Sequence, residues 1–230
     1  MHIHGLQKMS MVDFPGKIAA TVFTGGCNLR CPFCHNALLV TRLSESPLLD
    51  QGEVLKFLRS RRGLLDGVVL TGGEPLLQKD AFEFLAEVRE MGFAVKLDTN
   101  GCYPQVLSRI LEQKLVDYVA MDIKNCKEKY GLTVGIPNFD ITPVEESVRL
   151  LMTGTTDYEF RTTVTKELHT VGDIENIGRW IRGAKRYFLQ NFEDSGNLIG
   201  QGYHGFSEEE IRHMAGIASQ YMEHIGVRGY

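Results

Sequence analysis

Much of what would mark a membrane, secreted or nucleic-acid-binding protein is missing from this chain. No apolar run approaches membrane-spanning length, and the start, Met1-His2-Ile3-His4-Gly5-Leu6-Gln7-Lys8, lacks the apolar core of a signal peptide. The expectation is a soluble, cytoplasmic protein without a membrane partner. A net charge of −4 gives no pull toward nucleic acid. The densest basic stretch, Arg59-Ser60-Arg61-Arg62, falls at the end of an expected helix, where cations complement the helix dipole. Cysteines number five, an odd count, and Cys102 and Cys126 stand alone, which excludes a secreted disulfide framework. Phosphate-binding and Ser-His-Asp signatures are absent. No repeat, linker or low-complexity tract divides the chain, so one domain is expected over residues 1–230, with its core over about 10–192 and a C-terminal helix over about 208–225.

What is present is an alternation of short apolar runs and amphipathic stretches. Strands are expected at Ile18–Thr24, Gly67–Thr71, Ala94–Asp98, Tyr118–Ile123, Glu159–Val164 and Arg186–Gln190. Helices are expected near Gln51–Arg62, Lys79–Met91, Tyr103–Gln113, Val144–Met152, Val171–Arg182 and Glu208–Ile225. In the second of these Phe82, Leu85, Val88 and Met91 recur at helical spacing, and Gly92 supplies the C-cap. The last helix opens with Ser207-x-x-Glu210, a capping box, and presents Ile211, Met214, Ala218, Tyr221 and Ile225 on one face. Repeated β-α units argue for an α/β fold with a parallel sheet.

In such folds chemistry gathers at the carboxyl ends of the strands. The first strand delivers Cys27-Asn28-Leu29-Arg30-Cys31-Pro32-Phe33-Cys34-His35-Asn36, three cysteines in a C-x3-C-x2-C pattern with an aromatic before the third. Four thiolates would close a structural zinc site or satisfy every iron of a [4Fe–4S] cluster; three leave one iron open. A zinc with His35 as fourth ligand is the alternative. The second strand ends in Thr71-Gly72-Gly73-Glu74-Pro75, where glycines free the backbone to approach a ligand and the carboxylate can accept from an ammonium group. The third ends in Asp98-Thr99-Asn100-Gly101, which also reads as an Asx turn, and the fourth in Asp122-Ile123-Lys124, which also reads as an exposed ion pair. Arg161 and Thr163 sit on the fifth, Arg161 as a ligand to a carboxylate or as a structural ion pair. Cys102 and Cys126 read as small buried hydrophobes.

The cysteine loop, followed in order by the Gly-Gly-Glu-Pro, Asp-Thr-Asn-Gly and Asp-x-Lys segments, resembles the radical S-adenosylmethionine (radical SAM) superfamily, and within it the glycyl-radical-enzyme activating enzymes. The resemblance implies a partial (β/α)6 barrel. It implies a [4Fe–4S] cluster on Cys27, Cys31 and Cys34, whose open iron is chelated by S-adenosylmethionine and whose electron cleaves that cofactor to a 5′-deoxyadenosyl radical. The family's cofactor contacts fall on Phe33, Gly72, Gly73, Glu74, Asp98, Thr99, Asp122, Lys124, Arg161 and Thr163, with a monovalent cation near the two aspartates. Ser10-Met11-Val12-Asp13-Phe14-Pro15-Gly16 is similar to a family segment whose aspartate touches the substrate peptide, with Phe14 in place of a glycine; this assigns Asp13 to substrate, against the plain reading of a turn before the first strand. No histidine follows the last predicted strand, as it does in pyruvate formate-lyase activases; Gln190 and Asn191 stand there instead. Between His35 and Leu70 there is no cysteine, so no ferredoxin-like insertion is expected.

The implied activity is hydrogen abstraction from a glycine of a large glycyl-radical partner, with anaerobic ribonucleoside-triphosphate reductase first, and a flavodoxin- or ferredoxin-type electron donor. Alternatives are a pyruvate formate-lyase-type activase, a small-molecule radical SAM enzyme, or an iron–sulfur electron carrier. An open cluster implies an anaerobic setting. The Arg228-Gly229-Tyr230 tail echoes the context of glycyl-radical sites and reads as a frayed end.

Overall fold

A computed structural model describes residues 1–229 of the chain, so Tyr230 and the tail motif that ends in it lie outside the described residues. The fold is α/β and divides into two compact units. The first comprises Met1–Asn28, Leu38–Thr99 and Tyr103–Ala120; the second comprises Leu29–Ala37, Asn100–Cys102 and, of the described residues, 121–229.

In the first unit β1 (Ile3–Ser10) runs antiparallel to β2 (Ala19–Thr24), and β3 (Gly67–Gly72) and β4 (Ala94–Thr99) follow in parallel. The register pairs Thr21 with Val69 and Val69 with Lys96. One sheet face therefore carries Thr21, Val69, Thr71, Lys96 and Asp98. The other carries Ala20, Val22, Val68, Leu70, Val95 and Leu97, all buried. Parallel strands covered on both faces read as near-continuous apolar runs, which is why these were legible. Helices α1 (Ala37–Thr41), α2 (Gln51–Ser60), α3 (Ala81–Glu90) and α4 (Pro104–Glu112) lie between the strands in the chain. The α3 face turns on Phe84, Leu85 and Val88. Phe82 sits at its margin beneath the Arg109 guanidinium, 4.4 Å from the ring centroid. Gly92, at φ 89°, terminates the helix as expected. β1 was not anticipated, because its second half, Leu6 to Met9, is half-buried or exposed and carries no apolar run.

The last two residues of β5 (Tyr118–Asp122) belong to the second unit, which continues with α5 (Tyr130–Thr133), α6 (Thr142–Thr153), β6 (Asp157–Val164), α7 (Val171–Trp180), β7 (Tyr187–Asn191), α8 (Glu208–Ala218) and β8 (Ile225–Arg228). Strands β6, β7 and β8 are parallel neighbours. The capping box on Ser207 and Glu210 is formed. The expected helix to Ile225, however, stops at Ala218, and Ile225 opens a strand. Tyr221 and Ile225 extend the four-residue spacing of the helix, which is what suggested a longer one. Gly226 decides the outcome: a Cβ there would stand 2.6 Å from the Phe188 ring, so glycine allows β8 to lie against β7. Nor is the tail frayed through Arg228. Its guanidinium makes two 2.9 Å bonds to the buried Glu159 carboxylate and stacks 3.6 Å from the Phe188 ring centroid. Among the described residues no helix is long and apolar enough to cross a membrane.

Candidate cofactor site

The first unit contributes a turn built from glycine. β2 runs out through Gly25 and Gly26 to Cys27, and the turn after β3 is laced to it: Gly73 N–H donates to the Thr24 carbonyl at 2.9 Å and Glu74 N–H to the Gly26 carbonyl at 2.8 Å. Gly72 adopts φ 127°, and a Cβ there would lie 2.3 Å from the Thr24 backbone. At Gly73 a Cβ would fall 2.0 Å from the Gly26 carbonyl oxygen and 3.4 Å from Cys27 Cβ. Only glycine fits this close approach of two strand ends beside a cysteine.

Glu74 is completely buried, and its Oε1 accepts from Leu76 N–H and from the Thr99 hydroxyl, each at 2.9 Å. The carboxylate thereby ties the turn after β3 to the end of β4. Asp98, on the polar face of β4, receives Lys96 Nζ at 2.5 Å and the Thr71 hydroxyl at 3.3 Å. Lys96 is only 3% exposed. It was missed in the sequence, although its i, i+2 spacing to Asp98 put both on one strand face. Asp13 accepts from the Thr21 hydroxyl at 2.7 Å, while Ser10 Oγ accepts from the Val12 and Asp13 amides, so this segment is an ordered turn. It lies at the amino end of β2, and Cys27 follows the carboxyl end.

The second unit contributes charge and aromatic packing. Cys31 is buried and Cys34 half-buried, and Cys34 N–H donates to the Cys31 carbonyl at 3.1 Å. The loop is braced from two sides. Arg30 N–H donates to Val134 at 2.9 Å, and Gly200 N–H donates to Pro32 at 2.7 Å. Phe33, 3% exposed, lies between His169, at 6.3 Å and 81°, and Tyr203, at 6.3 Å and 58°. Burial raises the Cys34 thiol above its usual range; the Asn36 backbone and the Lys124 charge act against that. The Lys124 ammonium is held above the usual lysine range chiefly by Asp122 and also by Cys31, which outweigh its burial.

Asp122 sits between two cations: Lys124 Nζ at 2.8 Å and Arg161 Nε at 3.0 Å. Burial alone would raise its carboxyl, but the two partners bring it down to about 2. The ion-pair reading of Arg161 is thus realised. Thr163, two residues on along β6, is half-buried and pairs in register with Gln190 of β7. Asn191 is occupied: its side-chain amide donates to the Phe206 carbonyl and accepts from the Phe206 N–H, both at 2.8 Å. Cys102 N–H donates to Asn100 Oδ1 at 3.0 Å, the Asx turn expected after β4. Cys126 is buried, its Sγ 3.4 Å from Asp173, and burial pushes its thiol up to about 11, the signature of an inert structural cysteine.

His169 is the other residue that the sequence did not reveal, lying in a loop without flanking signal. It is 2% exposed, its Nδ1 accepts from Thr165 N–H at 3.1 Å, and its Nε2 lies 2.9 Å from the Lys124 carbonyl. The Thr165 hydroxyl is buried and, among the described residues, has no hydrogen-bond partner. His35 packs against Phe192 with ring centroids 5.3 Å apart.

The model of the radical SAM superfamily matches residues 21–172. The chain belongs to that superfamily, a family of enzymes. It is 31% identical, over 98% of its own length and 95% of the relative's, to a Methanocaldococcus jannaschii protein provisionally assigned as a glycyl-radical enzyme activating enzyme. Over 61% of the chain it is 35% identical to the pyruvate formate-lyase-activating enzyme of Staphylococcus aureus, of which it covers 60%. The fold is similar to that of Streptococcus suis SuiB bound to S-adenosylmethionine, with a TM-score of 0.67 over 89% of this chain, at 16% identity. The chain spans about half the length of that structure.

For a radical SAM protein the residues present fit the family's cofactors. Three thiols follow one strand, a glycine cradle excludes any Cβ beside Cys27, and a buried hydroxyl on Thr165 lacks a protein partner among the described residues. Within the first unit Glu74 is buried and Lys96 pairs with Asp98; within the second, Lys124 and Arg161 both pair with Asp122.

Proposed function

We propose that this radical SAM enzyme is a glycyl-radical-enzyme activase that holds a [4Fe–4S] cluster on Cys27, Cys31 and Cys34. The observation that carries the reading is the glycine turn laced to the residue before Cys27, where a Cβ on Gly73 would fall 2.0 Å from the Gly26 carbonyl oxygen and 3.4 Å from Cys27 Cβ. When bound, the cluster and S-adenosylmethionine supply one-electron cleavage: an electron from a flavodoxin- or ferredoxin-type donor and a hydrogen atom from a partner's glycine Cα give methionine, 5′-deoxyadenosine and a glycyl radical.

The chain's own contribution is positioning and electrostatics. Gly72, Gly73, Glu74 and Thr99 shape a rigid acceptor-rich turn suited to the cofactor's ammonium group. Lys124 and Arg161 leave one net positive charge around Asp122, suited to its carboxylate. Phe33 and Thr163 are assigned to the adenosine; Asp13, at the opposite end of β2 from Cys27 and bonded to the Thr21 hydroxyl, is given no part in binding the partner's peptide. The Asp98 and Asp122 carboxylates each already face an ammonium group, so a monovalent cation is left out of the proposal.

The favoured partner is anaerobic ribonucleoside-triphosphate reductase, supported by Gln190 and Asn191 at the end of β7 where pyruvate formate-lyase activases carry a histidine. A pyruvate formate-lyase partner is the second reading, favoured by the 35% identity to the staphylococcal enzyme. The test is anaerobic reconstitution, reduction and addition of S-adenosylmethionine, with Cys31→Ala as control. 5′-Deoxyadenosine that disappears in the variant supports the radical SAM chemistry, and a glycyl-radical EPR doublet on only one of the two partner enzymes selects between them. Absence of cofactor cleavage in the wild type overturns the reading.

A further inference from the structure

His169 touches three segments assigned to the cofactor without carrying a role of its own. The ring meets Phe33 edge-on, Nδ1 accepts from the backbone just past β6, and Nε2 faces the Lys124 carbonyl just past β5. The second contact dictates the tautomer. An Nδ1 that accepts from Thr165 N–H holds no proton, so the neutral ring carries its hydrogen on Nε2 and donates it to Lys124. Burial lowers the pKa of the ring and so favours this neutral form.

The Lys124 peptide is otherwise the start of a loop. Asn125 beyond it is buried and donates to the Thr133 hydroxyl at the end of α5 and to the Leu168 carbonyl in the Thr165–His169 turn. The Tyr130 hydroxyl also meets the Lys124 backbone, and the bond from His169 Nε2 holds its carbonyl. It fixes the peptide from which the ammonium group approaches Asp122, and the same ring sets one wall of the Phe33 pocket.

The geometry points to His169 as a positioning residue for S-adenosylmethionine, orienting Lys124 through its carbonyl and Phe33 through ring contact. The inference rests on the radical SAM function proposed above. It adds a histidine reaching the site from the loop after β6, and that histidine acts through other residues without touching the cofactor. Outer hydrogen bonds of this kind typically set binding by about ten- to a hundredfold.

Two substitutions separate the two bonds. In His169→Asn the amide oxygen can keep the Thr165 N–H bond but cannot span to Lys124. In His169→Gln the longer amide can donate to the Lys124 carbonyl. Binding of S-adenosylmethionine to reconstituted, unreduced protein is measured by titration calorimetry, and turnover to 5′-deoxyadenosine separately. The expected result is affinity about tenfold weaker in His169→Asn, with kcat within about twofold of wild type, and affinity restored to within about threefold in His169→Gln. A thermal midpoint and iron content near wild type in both variants accompany this result.

Equal affinity in all three proteins overturns the inference, as does a Gln variant no better than Asn. Should both variants fail to fold, the wild-type imidazole nitrogen resonances decide. A neutral ring protonated on Nε2, whose signal moves when S-adenosylmethionine is added, supports positioning; protonation on Nδ1 or an unmoved signal overturns it. A wild-type protein that binds no S-adenosylmethionine brings down the functional reading itself, a different outcome from binding that ignores His169.

Discussion

Strands β4 and β5 end in the same two charges at the same spacing, in opposite order. β4 offers Lys96-x-Asp98 and β5 with the residues just past it offers Asp122-x-Lys124. In the first the cation is the deeper group, 3% exposed, and the carboxylate stands nearer the strand end. In the second the carboxylate comes first, on the strand, and the ammonium group follows past it; the cation is again the less exposed side chain, at 18% against 27%. Arg161 adds a second cation to Asp122, and Asp98 also accepts from the neutral Thr71 hydroxyl. One end is neutral as a pair and the other is left net positive. Order and one extra arginine therefore turn a repeated motif into two different electrostatic surfaces.

Breaking the β5 arrangement has the largest expected effect. Asp122→Asn removes the anion from between two partly buried cations, and loss of one member of such a cluster costs about 3–5 kcal/mol of folding stability. Urea unfolding at neutral pH measures it, and a loss under about 1 kcal/mol would show that solvent already screens the group. The pH dependence supplies a check of sign. The Asp122 carboxyl titrates lower in the folded protein, at about 2, than the 3.8 of an unperturbed aspartate. Its contribution is therefore complete above the unfolded value and disappears as pH falls through the folded one, a loss of about 2 kcal/mol between roughly pH 4 and pH 2. The Asn variant should lack that part of the acid limb.

This contrast was partly legible in the sequence. Asp98, Asp122 and Lys124 were found because turn residues or charges at a strand end are conspicuous against apolar runs. Lys96 was overlooked because a single lysine within Ala94-Val95-Lys96-Leu97 reads as an interruption, and its burial depends on register with Val69. His169 and Glu159 had no local signal at all: the bond of His169 to Lys124 and that of Glu159 to Arg228 span 45 and 69 residues. Helix and strand positions followed from periodicity. β1 and β8 escaped because β1 is half-exposed and β8 is decided by a single packing contact at Gly226.

Lys96→Met tests the β4 pair and should do less harm. Asp98 keeps the Thr71 hydroxyl, and its side chain is 17% exposed, so water can take part of the missing role. A destabilisation of about 1–3 kcal/mol is expected, smaller than that of Asp122→Asn measured by the same unfolding curve. If the two variants were equal, the asymmetry drawn between the strand ends would be wrong and burial alone would set both effects.

The end of β7 sharpens the comparison, because it carries amides where the others carry charges. Asn191 makes two 2.8 Å bonds to the backbone of Phe206, closing the segment that includes Gly200 against Pro32 and Tyr203 against Phe33. Neutral hydrogen bonds to a half-buried amide contribute about 0.5–1.5 kcal/mol each, and water can replace part of them when the side chain is cut back. Asn191→Ala should therefore cost about 1–2 kcal/mol, the smallest of the three, and should show little dependence on pH. Its distinguishing readout is local: amide hydrogen exchange should quicken from Gly200 to Phe206 and around Phe33, with β6 unchanged. Exchange that quickened across β6 and β7 together would mean that the amide holds the sheet and not the segment over the cysteine loop.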